Sequence, residues 1–433
     1  MFLLDRHPVY RALRPQHRRT RESIETFRDA RLRKVVAHAW EKVPFYRALF
    51  ERSGIHPSDI RGASDMHRIP VTLRSHIQDA SMADRLSRGI DASRLLERKT
   101  TGSTGQCLVV KRTWMEEQVL NFFRWRAIRA YGLVRADVIG VPRVRVPKDP
   151  NDIQIPRRIA DALHFYRKSI VDLRSTTDDV GKLHSLHPEV IMGWPTVLSE
   201  MAPRWAELNM VNPARDRVRF VITGGEVLTP SARDQIEAGF GAPVRDMYGA
   251  HEFSLVAWQC AHTGNYHLSD ETIHAQVIRD GREAEPGETG ELIVTALHSL
   301  AMPFIRYKLG DAVIQGERAC SCGSPFSTIR GIKGRVADYL KLPNGRLVHP
   351  QDVARESYHA ALWIRQLQVV QDELDKFRLL VVPARQPAAD EQSALTSAMV
   401  EFLGQGVTFD VVLVESIARP DESKFQVYRS AVS

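Results

Sequence analysis

The 433-residue sequence has only four cysteines, Cys107, Cys260, Cys320 and Cys322, too few to staple a chain of this length with a disulfide framework. It has no apolar run approaching the roughly 18 residues of a membrane span. The opening stretch MFLLDRHPVY is interrupted by Asp5 and Arg6 before a signal-peptide core could form. A cytoplasmic protein that does not enter the membrane is therefore expected. Internal repeats and low-complexity tracts are also missing, which excludes solenoids and long disordered segments. Aromatic residues do not interleave with a Lys/Arg stripe, and no zinc-finger or RNP signature occurs, so the formal charge of +8 is not read as a nucleic-acid footprint. The arginines crowding the first hundred residues fall on polar faces of amphipathic helices, and anionic small substrates suffice for the remaining positive balance.

What is present is a globular composition, long enough for two or three domains around a sizeable core. Residues 21–55 carry apolar side chains at helical spacing, broken at Pro44. The stretches ADVIGVPRV, EVIMGWP, VRFVITGGE and APVRDMYGA then read as apolar strands ending in Gly or Pro. The helical patterns TVLSEMAPRWAEL and PSARDQIEAGF lie between them. That alternation predicts an α/β fold with a largely parallel sheet covered by helices. After about residue 265 the pattern turns to β, with a turn at Pro286-Gly287. The end of the chain reads as alternating strands and helices, a compact unit of its own with its linker near GRVADYL. The expected division is a large multi-sheet α/β domain over 1–336 and a small α+β domain over 337–433.

Three features suggest chemistry. The loop TTGSTGQ, Thr100 to Gln106, precedes an apolar strand. Gly102 and Gly105 free its backbone N–H groups to face an anion, and Thr101, Ser103 and Thr104 add hydroxyl donors. It is not a Walker loop, which needs Gly-Lys-Ser/Thr at a helix start. Second, CSCG brings Cys320 and Cys322 together, and CAHTGNYH carries Cys260 and His267 upstream. Cys₃His is an ordinary tetrahedral zinc set. His262 is a rival to His267, and Cys107 reads as a core residue of a strand. Third, aromatic residues cluster around 122–131 and at GWP.

The order of motifs ties these together. TTGSTG is followed by GGE (224–226), YGAHE (248–252), IRYKLGD (305–311), GIKGRVADYL (331–340) and Lys424. In this order they resemble the acyl-adenylate-forming superfamily, in particular its phenylacetate–CoA ligase and capsule-biosynthesis ligase-like branch. That branch also has a VPFYR element like Val43–Arg47 and an IPVTLR stretch like Ile69–Arg74.

The resemblance implies a large domain binding ATP and a carboxylic acid, and a small mobile C-terminal domain. Thr101, Gly102, Ser103, Thr104 and Gly105 would hold the β- and γ-phosphates. Gly225, Glu226, Tyr248 and Gly249 would lie along adenine, Asp311 would accept from the ribose hydroxyls, and Arg335 would contact ribose or phosphate. Glu252 would hold Mg²⁺, and Lys424 would offset charge on the attacking carboxylate and the α-phosphate. Phe123, Tyr131, Trp194 and Thr223 are candidates for the acyl pocket, pointing to an aryl or apolar acid. Some members of the branch bind structural zinc near Cys320.

The implied activity is acyl-AMP formation from ATP, then transfer to coenzyme A. Transfer to an amine, a hydroxyl or a carrier protein is the alternative with the same chemistry, and a monomer or homodimer is expected. Two departures qualify the pattern: Gln106 replaces the usual lysine of the phosphate loop, and Ala337 replaces a hinge aspartate. They motivate an alternative of another class, a non-catalytic nucleotide- or metabolite-binding protein.

Overall fold

The computed structural model describes residues 20–99, 108–134, 137–144, 167–173, 179–211, 218–335, 340–348, 350–361, 363–404, 406–417 and 428–432. The chain opens with α1 (Arg21–Lys42) and α2 (Pro44–Arg52). The Thr20 hydroxyl caps α1 by accepting from the Ser23 N–H at 3.2 Å. Pro44 takes the first turn of α2, where its missing N–H costs nothing, and this explains the break in an otherwise continuous helical pattern. Next come α3 (Arg74–Asp79), α4 (Met82–Arg85), β1 (Leu96–Lys99), β2 (Val109–Arg112) and α5 (Trp114–Ala130). Thr113 and Glu116 form a reciprocal capping box at the start of α5.

The alternating segment gives β3 (Val138–Val144), β4 (Arg167–Leu173), α6 (Val180–His184), β5 (Val190–Gly193), α7 (Pro195–Val211), β6 (Phe220–Gly224), α8 (Pro230–Phe240) and β7 (Val244–Ala250). The β-rich segment follows as β8 (Ser254–Gln259), β9 (Tyr266–Leu268), β10 (Ile273–Arg279), β11 (Arg282–Glu283), β12 (Thr289–Ala296), β13 (Tyr307–Gln315) and β14 (Thr328–Arg335). The last segment contains β15 (Leu340–Lys341), β16 (Leu347–Val348), α9 (Pro350–Ala360), β17 (Ile364–Glu373), β18 (Lys376–Pro383), α10 (Ala389–Leu403), β19 (Thr408–Leu413) and β20 (Tyr428–Ser430).

These elements form two compact units. The first comprises Met1–Ile139, Pro147–Lys168 and Arg245–Ile332; the second comprises Gly140–Val146, Ser169–Val244 and Lys333–Ser433. In the first, hydrogen-bonded strands run in the order β11-β10-β12-β13-β14-β9-β8-β7. The pairs β7–β8, β8–β9, β10–β12 and β12–β13 are antiparallel. One core of this unit gathers Phe253, Phe304 and Tyr307 with the aliphatic residues of β8, β10, β12 and β13. A second packs Leu32, Val35, Val36 and Ala39 of α1 against Leu297 and Ile305.

In the second unit the order is β6-β5-β3-β4, and β5 pairs with β6 in parallel, as the strand–helix alternation predicts. Trp205, Ile236 and Phe240 of α7 and α8 are buried in its core. The same unit contains a separate four-stranded sheet, β19-β18-β17-β20, with its own core of Trp363, Phe377, Leu379, Leu395, Met399 and Phe409. The α/β class and the limits of most predicted elements are found as expected. No helix among the described residues is long and apolar enough to cross a membrane.

Candidate active site and metal centre

Within the first unit, the YGAHE motif turns β7 into β8. At Gly249 a Cβ would collide with the Ser254 carbonyl, so only glycine fits this close backbone approach. Ser254 takes the left-handed conformation, φ 65°, unusual for a residue with a side chain. The tight turn leaves Glu252 only 4% exposed. Burial pushes its carboxyl above the usual carboxylate range, against the pull of its own N–H, Arg74, Tyr307 and Arg112. The Tyr307 hydroxyl donates to Glu252 Oε1 at 3.2 Å, and Arg74 Nη1 lies 3.9 Å from the same oxygen. Arg112 donates to the His251 carbonyl and, at 3.2 Å, to Glu117.

Arg74 reaches this place because the IPVTLR segment docks on β13. The Thr72 N–H donates to the Arg306 carbonyl at 2.8 Å, and the Lys308 N–H donates to the Thr72 carbonyl at 2.9 Å. Two of the expected nucleotide residues also meet directly, since the Tyr248 hydroxyl donates to the Asp311 carboxylate. Gly310, at φ 88°, lies at the irregularity in the β12–β13 register just before Asp311. Phe123 is buried against His298 with Arg126 over its ring, and the Tyr131 hydroxyl donates to the Gln259 carbonyl at 2.7 Å.

In the second unit, Gly225 takes φ 84° after β6. The Glu226 carboxylate accepts from the N–H and hydroxyl of Thr196, at 3.2 and 2.7 Å, in the first turn of α7. An anion at a helix start is favoured by the free N–H groups there. Thr223 is fully buried at the end of β6, and Trp194 is half-buried just before α7. Thr101 to Gly105, Gln106, Cys107, Ala337 and Lys424 lie outside the described residues, and Arg335 closes β14 with its side chain outside the description.

The cysteine motifs converge. One ligand atom from each of Cys260, His267, Cys320 and Cys322 lies within 4.8 Å of the others. The Cys320 and Cys260 sulfurs are 3.9 Å apart, and Cys322 Sγ is 3.6 Å from His267 Nε2. A tetrahedral zinc with Zn–S near 2.3 Å and Zn–N near 2.1 Å would set these edges at about 3.8 and 3.6 Å. Ser324 Oγ sits 2.8 Å from His267 Nδ1 and leaves Nε2 facing the sulfurs, as an outer partner of a metal ligand does. His262, the rival ligand, instead contributes its backbone N–H to Cys260 Sγ at 3.5 Å.

Burial alone would raise the Cys260 thiol. Donors from Thr263, the His262 N–H and His267 outweigh it and bring the thiol down to about 5. Burial pushes Cys322 up to about 12, with Cys320 and Cys260 adding to the rise. One thiolate thus forms readily, and a second beside it is opposed until a cation neutralises the pair.

Sequence reasoning missed Arg74, Tyr307, Arg112 and Ser324 as site residues. The first two lie inside motifs already singled out, IPVTLR and IRYKLGD, where the surrounding pattern was the signal.

No family model matches the chain. It is 27% identical over 347 residues to the phenylacetate–coenzyme A ligase of Thermus thermophilus, covering 77% of this chain and 75% of that protein. It is 25% identical over 307 residues to protein CapK of Staphylococcus aureus, covering 67% of this chain and 64% of CapK. Among solved structures, a 2-hydroxyisobutyryl-CoA ligase in the postadenylation state, in complex with 2-HIB-AMP, superposes with a TM-score of 0.79 at 21% identity, over 95% of this chain and 90% of that one. An anthranilate CoA ligase in complex with anthranoyl-AMP superposes with a TM-score of 0.57 at 14% identity, over 80% and 66% of the two chains.

The fold is that of the adenylate-forming ligases. In sequence the chain is similar to phenylacetate–CoA ligases and to protein CapK, as the order of its motifs suggested.

Proposed function

We propose that this protein is an ATP-dependent carboxylate–CoA ligase working through an acyl-adenylate, with an aryl or apolar acid as substrate. The observation that carries the reading is the convergence of YGAHE and IRYKLGD. Tyr248 is hydrogen-bonded to Asp311, and beside Tyr248 in the motif a buried Glu252 faces Tyr307 and Arg74. The phenylacetate–CoA ligases similar to it support both the thioester product and the class of acid.

In the first half-reaction the substrate carboxylate attacks the α-phosphorus and pyrophosphate leaves. In the second, the thiol of coenzyme A attacks the acyl carbonyl and AMP leaves. Tyr248, Gly249, Gly225 and Glu226 are assigned to adenine, Asp311 to the ribose hydroxyls, Arg335 to ribose or phosphate, and residues 101–105 to the leaving pyrophosphate. Lys424, in a small domain of residues 337–433, offsets the charge that grows at the α-phosphate in the transition state. The separate sheet and core of that segment favour treating it as a domain. Glu252 is assigned to Mg²⁺ as a hard carboxylate oxygen donor oriented by the Tyr307 hydroxyl. Mg²⁺, when bound, would neutralise polyphosphate charge.

The Cys260, His267, Cys320 and Cys322 set is assigned to zinc, on its ligand types and on two edges that match a tetrahedron. A cytoplasmic setting suits free thiols and an ATP-consuming reaction. A second reading, transfer to an amine, a hydroxyl or a carrier-protein thiol, is favoured by Ala337 at the hinge position.

The test is pyrophosphate release from ATP and Mg²⁺ across aryl, aliphatic and amino acids, with hydroxylamine as surrogate acceptor, repeated with coenzyme A and with amines. Release with an aryl or aliphatic acid and formation of its CoA thioester is expected. Release without thioester, restored by an amine, would move the conclusion to the second reading. ATP binding with no release on any acid would favour a non-catalytic nucleotide binder.

A further inference from the structure

The segment that carries Cys320 and Cys322 runs from Gly316 to Ser327, between β13 and β14, and forms no helix or strand of its own. A connection of this kind is ordered only where something holds it. Its base is closed by β14, where the Thr328 N–H and hydroxyl donate to the Glu317 carbonyl at 3.1 and 2.7 Å. The rest is gripped from outside. Asp270, 3% exposed and close after His267 in the chain, accepts from the Ser327 N–H at 2.8 Å and from the Ser327 hydroxyl at 2.6 Å. The same carboxylate accepts from Arg21 Nη1 at 2.7 Å, and that nitrogen also donates to the Pro325 carbonyl at 3.2 Å. Glu25, one turn along α1, accepts from Arg21 at 2.9 Å and from Arg318 at 2.7 Å. The start of α1 thus meets the loop on both sides of its cysteines, at Arg318 and at residues 325–327. The helix gains nothing from an arginine in its first turn, where a cation opposes the helix dipole. The loop is what the arginine serves.

We propose that Arg21, Glu25 and Asp270 form a clasp that orders the cysteine loop in advance, so that the first turn of α1 sets how tightly the Cys260, His267, Cys320 and Cys322 set holds a metal. This rests on the reading of that set as a metal centre. Cys260 and His267 come with the paired strands β8 and β9, whereas Cys320 and Cys322 come from a loop that must be brought to them. Where the loop is already held, its ordering is completed in folding and is not charged against metal binding, and affinity rises. The clasp also reaches a ligand through Ser324, which precedes the gripped Pro325 and places its hydroxyl 2.8 Å from His267 Nδ1. Arg21, Glu25 and Asp270 are therefore positioning residues of the metal centre.

The test titrates metal-free, full-length protein with Co²⁺, whose absorption reports both thiolate ligation and tetrahedral geometry. Wild type is expected to take up about one equivalent with the spectrum of a tetrahedral thiolate site. Arg21→Met and Asp270→Asn should keep that spectrum, because all four ligands remain, and should bind Co²⁺ about tenfold to a hundredfold more weakly, the scale of outer-shell changes at metal sites. Arg21→Lys keeps a cation for Asp270 and should recover most of the affinity. Arg21→Met combined with Asp270→Asn should bind no more weakly than Asp270→Asn alone, since both break one link. Val36→Ala removes packing from the same helix and should lower the urea midpoint while Co²⁺ affinity stays unchanged. Unchanged Co²⁺ affinity in both Arg21→Met and Asp270→Asn would overturn the proposal. A loss in Val36→Ala as large as in Arg21→Met would overturn it too, by making the effect one of general stability. Wild type that shows no thiolate-bound Co²⁺ would instead remove the metal reading on which the proposal rests.

Discussion

Acidification supplies a measurable test of how the first unit is built. His298 is 9% exposed; its Nε2–H donates to the Glu271 carbonyl at 2.9 Å, and its ring faces Phe27 and Phe123. Burial brings its pKa from 6.5 down to about 3, with Arg31 and Lys34 adding to the fall and the Glu271 carbonyl opposing it. His274 is depressed to about 3 by burial, with Arg28 and Arg306 contributing. A group depressed in this way leaves the folded protein unprotonated while the unfolded chain takes up its proton. The stability it supports is complete above pH 6.5 and is lost as pH falls toward 3. Between pH 8 and pH 5 the loss is about 2 kcal/mol per histidine, or about 4 kcal/mol for the pair. Carboxylates titrating over the same range are separated out by His298→Gln, which keeps an N–H for the Glu271 carbonyl and cannot be protonated. Urea-dependent hydrogen exchange of peptides from β10 and β12 follows the first unit specifically. Relative to wild type, the variant should gain about 2 kcal/mol on going from pH 8 to pH 5. Parallel losses in the two proteins would show that His298 is not held neutral in the folded state.

Three further outcomes are expected. Protein never exposed to chelator should carry about one equivalent of zinc, falling sharply in Cys322→Ser; metal analysis of both checks this, and metal-free wild type would remove the cluster from consideration. Tyr248→Phe deletes the hydroxyl that donates to Asp311 and should weaken ATP about tenfold by titration calorimetry, the scale of a hydrogen bond to a charged group. Lys424→Ala should slow pyrophosphate release by about 10²–10³ while ATP affinity changes far less; adenylation at the wild-type rate would end the assignment of that lysine.

Much of the fold was legible because its signals are local. Pro44 breaks the α1–α2 pattern, Thr113 and Glu116 box the start of α5, Gly241 closes α8 at φ 63°, and β5 and β6 end at Gly193 and Gly224, whereas β3 runs on through Gly140 and Pro142 to Val144. The Cys₃His set was legible because thiols are rare in the chain and a metal needs a fixed count of them. What escaped are partners brought together by the tertiary fold. Arg74 and Glu252 belong to distant segments, and only the bridge between Thr72 and Tyr307 makes them neighbours. An arginine at the start of a short polar helix carries no mark in sequence to distinguish it from the many solvated arginines of the first hundred residues. The aromatic candidates failed to stand out for the opposite reason. Phe123 and Tyr131 lie along α5 or at its end, where core packing and substrate contact leave the same helical spacing.

The placement of the cysteine cluster argues for what its metal would do. β8 begins two residues after Glu252 and ends just before Cys260, and β9 carries His267 back along it. β13 carries Asp311, and the loop leading from it to β14 holds Cys320 and Cys322. The four ligands therefore lie beyond the far end of β8, whose near end follows Glu252, and beyond the end of β13, whose middle carries Asp311. Four protein ligands leave no open position for substrate or water, which is the pattern of a structural rather than a catalytic zinc. Wide antiparallel sheets tolerate fraying at strand ends far from their core, and a fixed tetrahedron there limits how far the Glu252 turn and Asp311 can drift apart. A metal held there would act as a staple that limits how far Glu252 and Asp311 can move apart, while the Tyr307 hydroxyl and Arg74 face the Glu252 carboxylate directly.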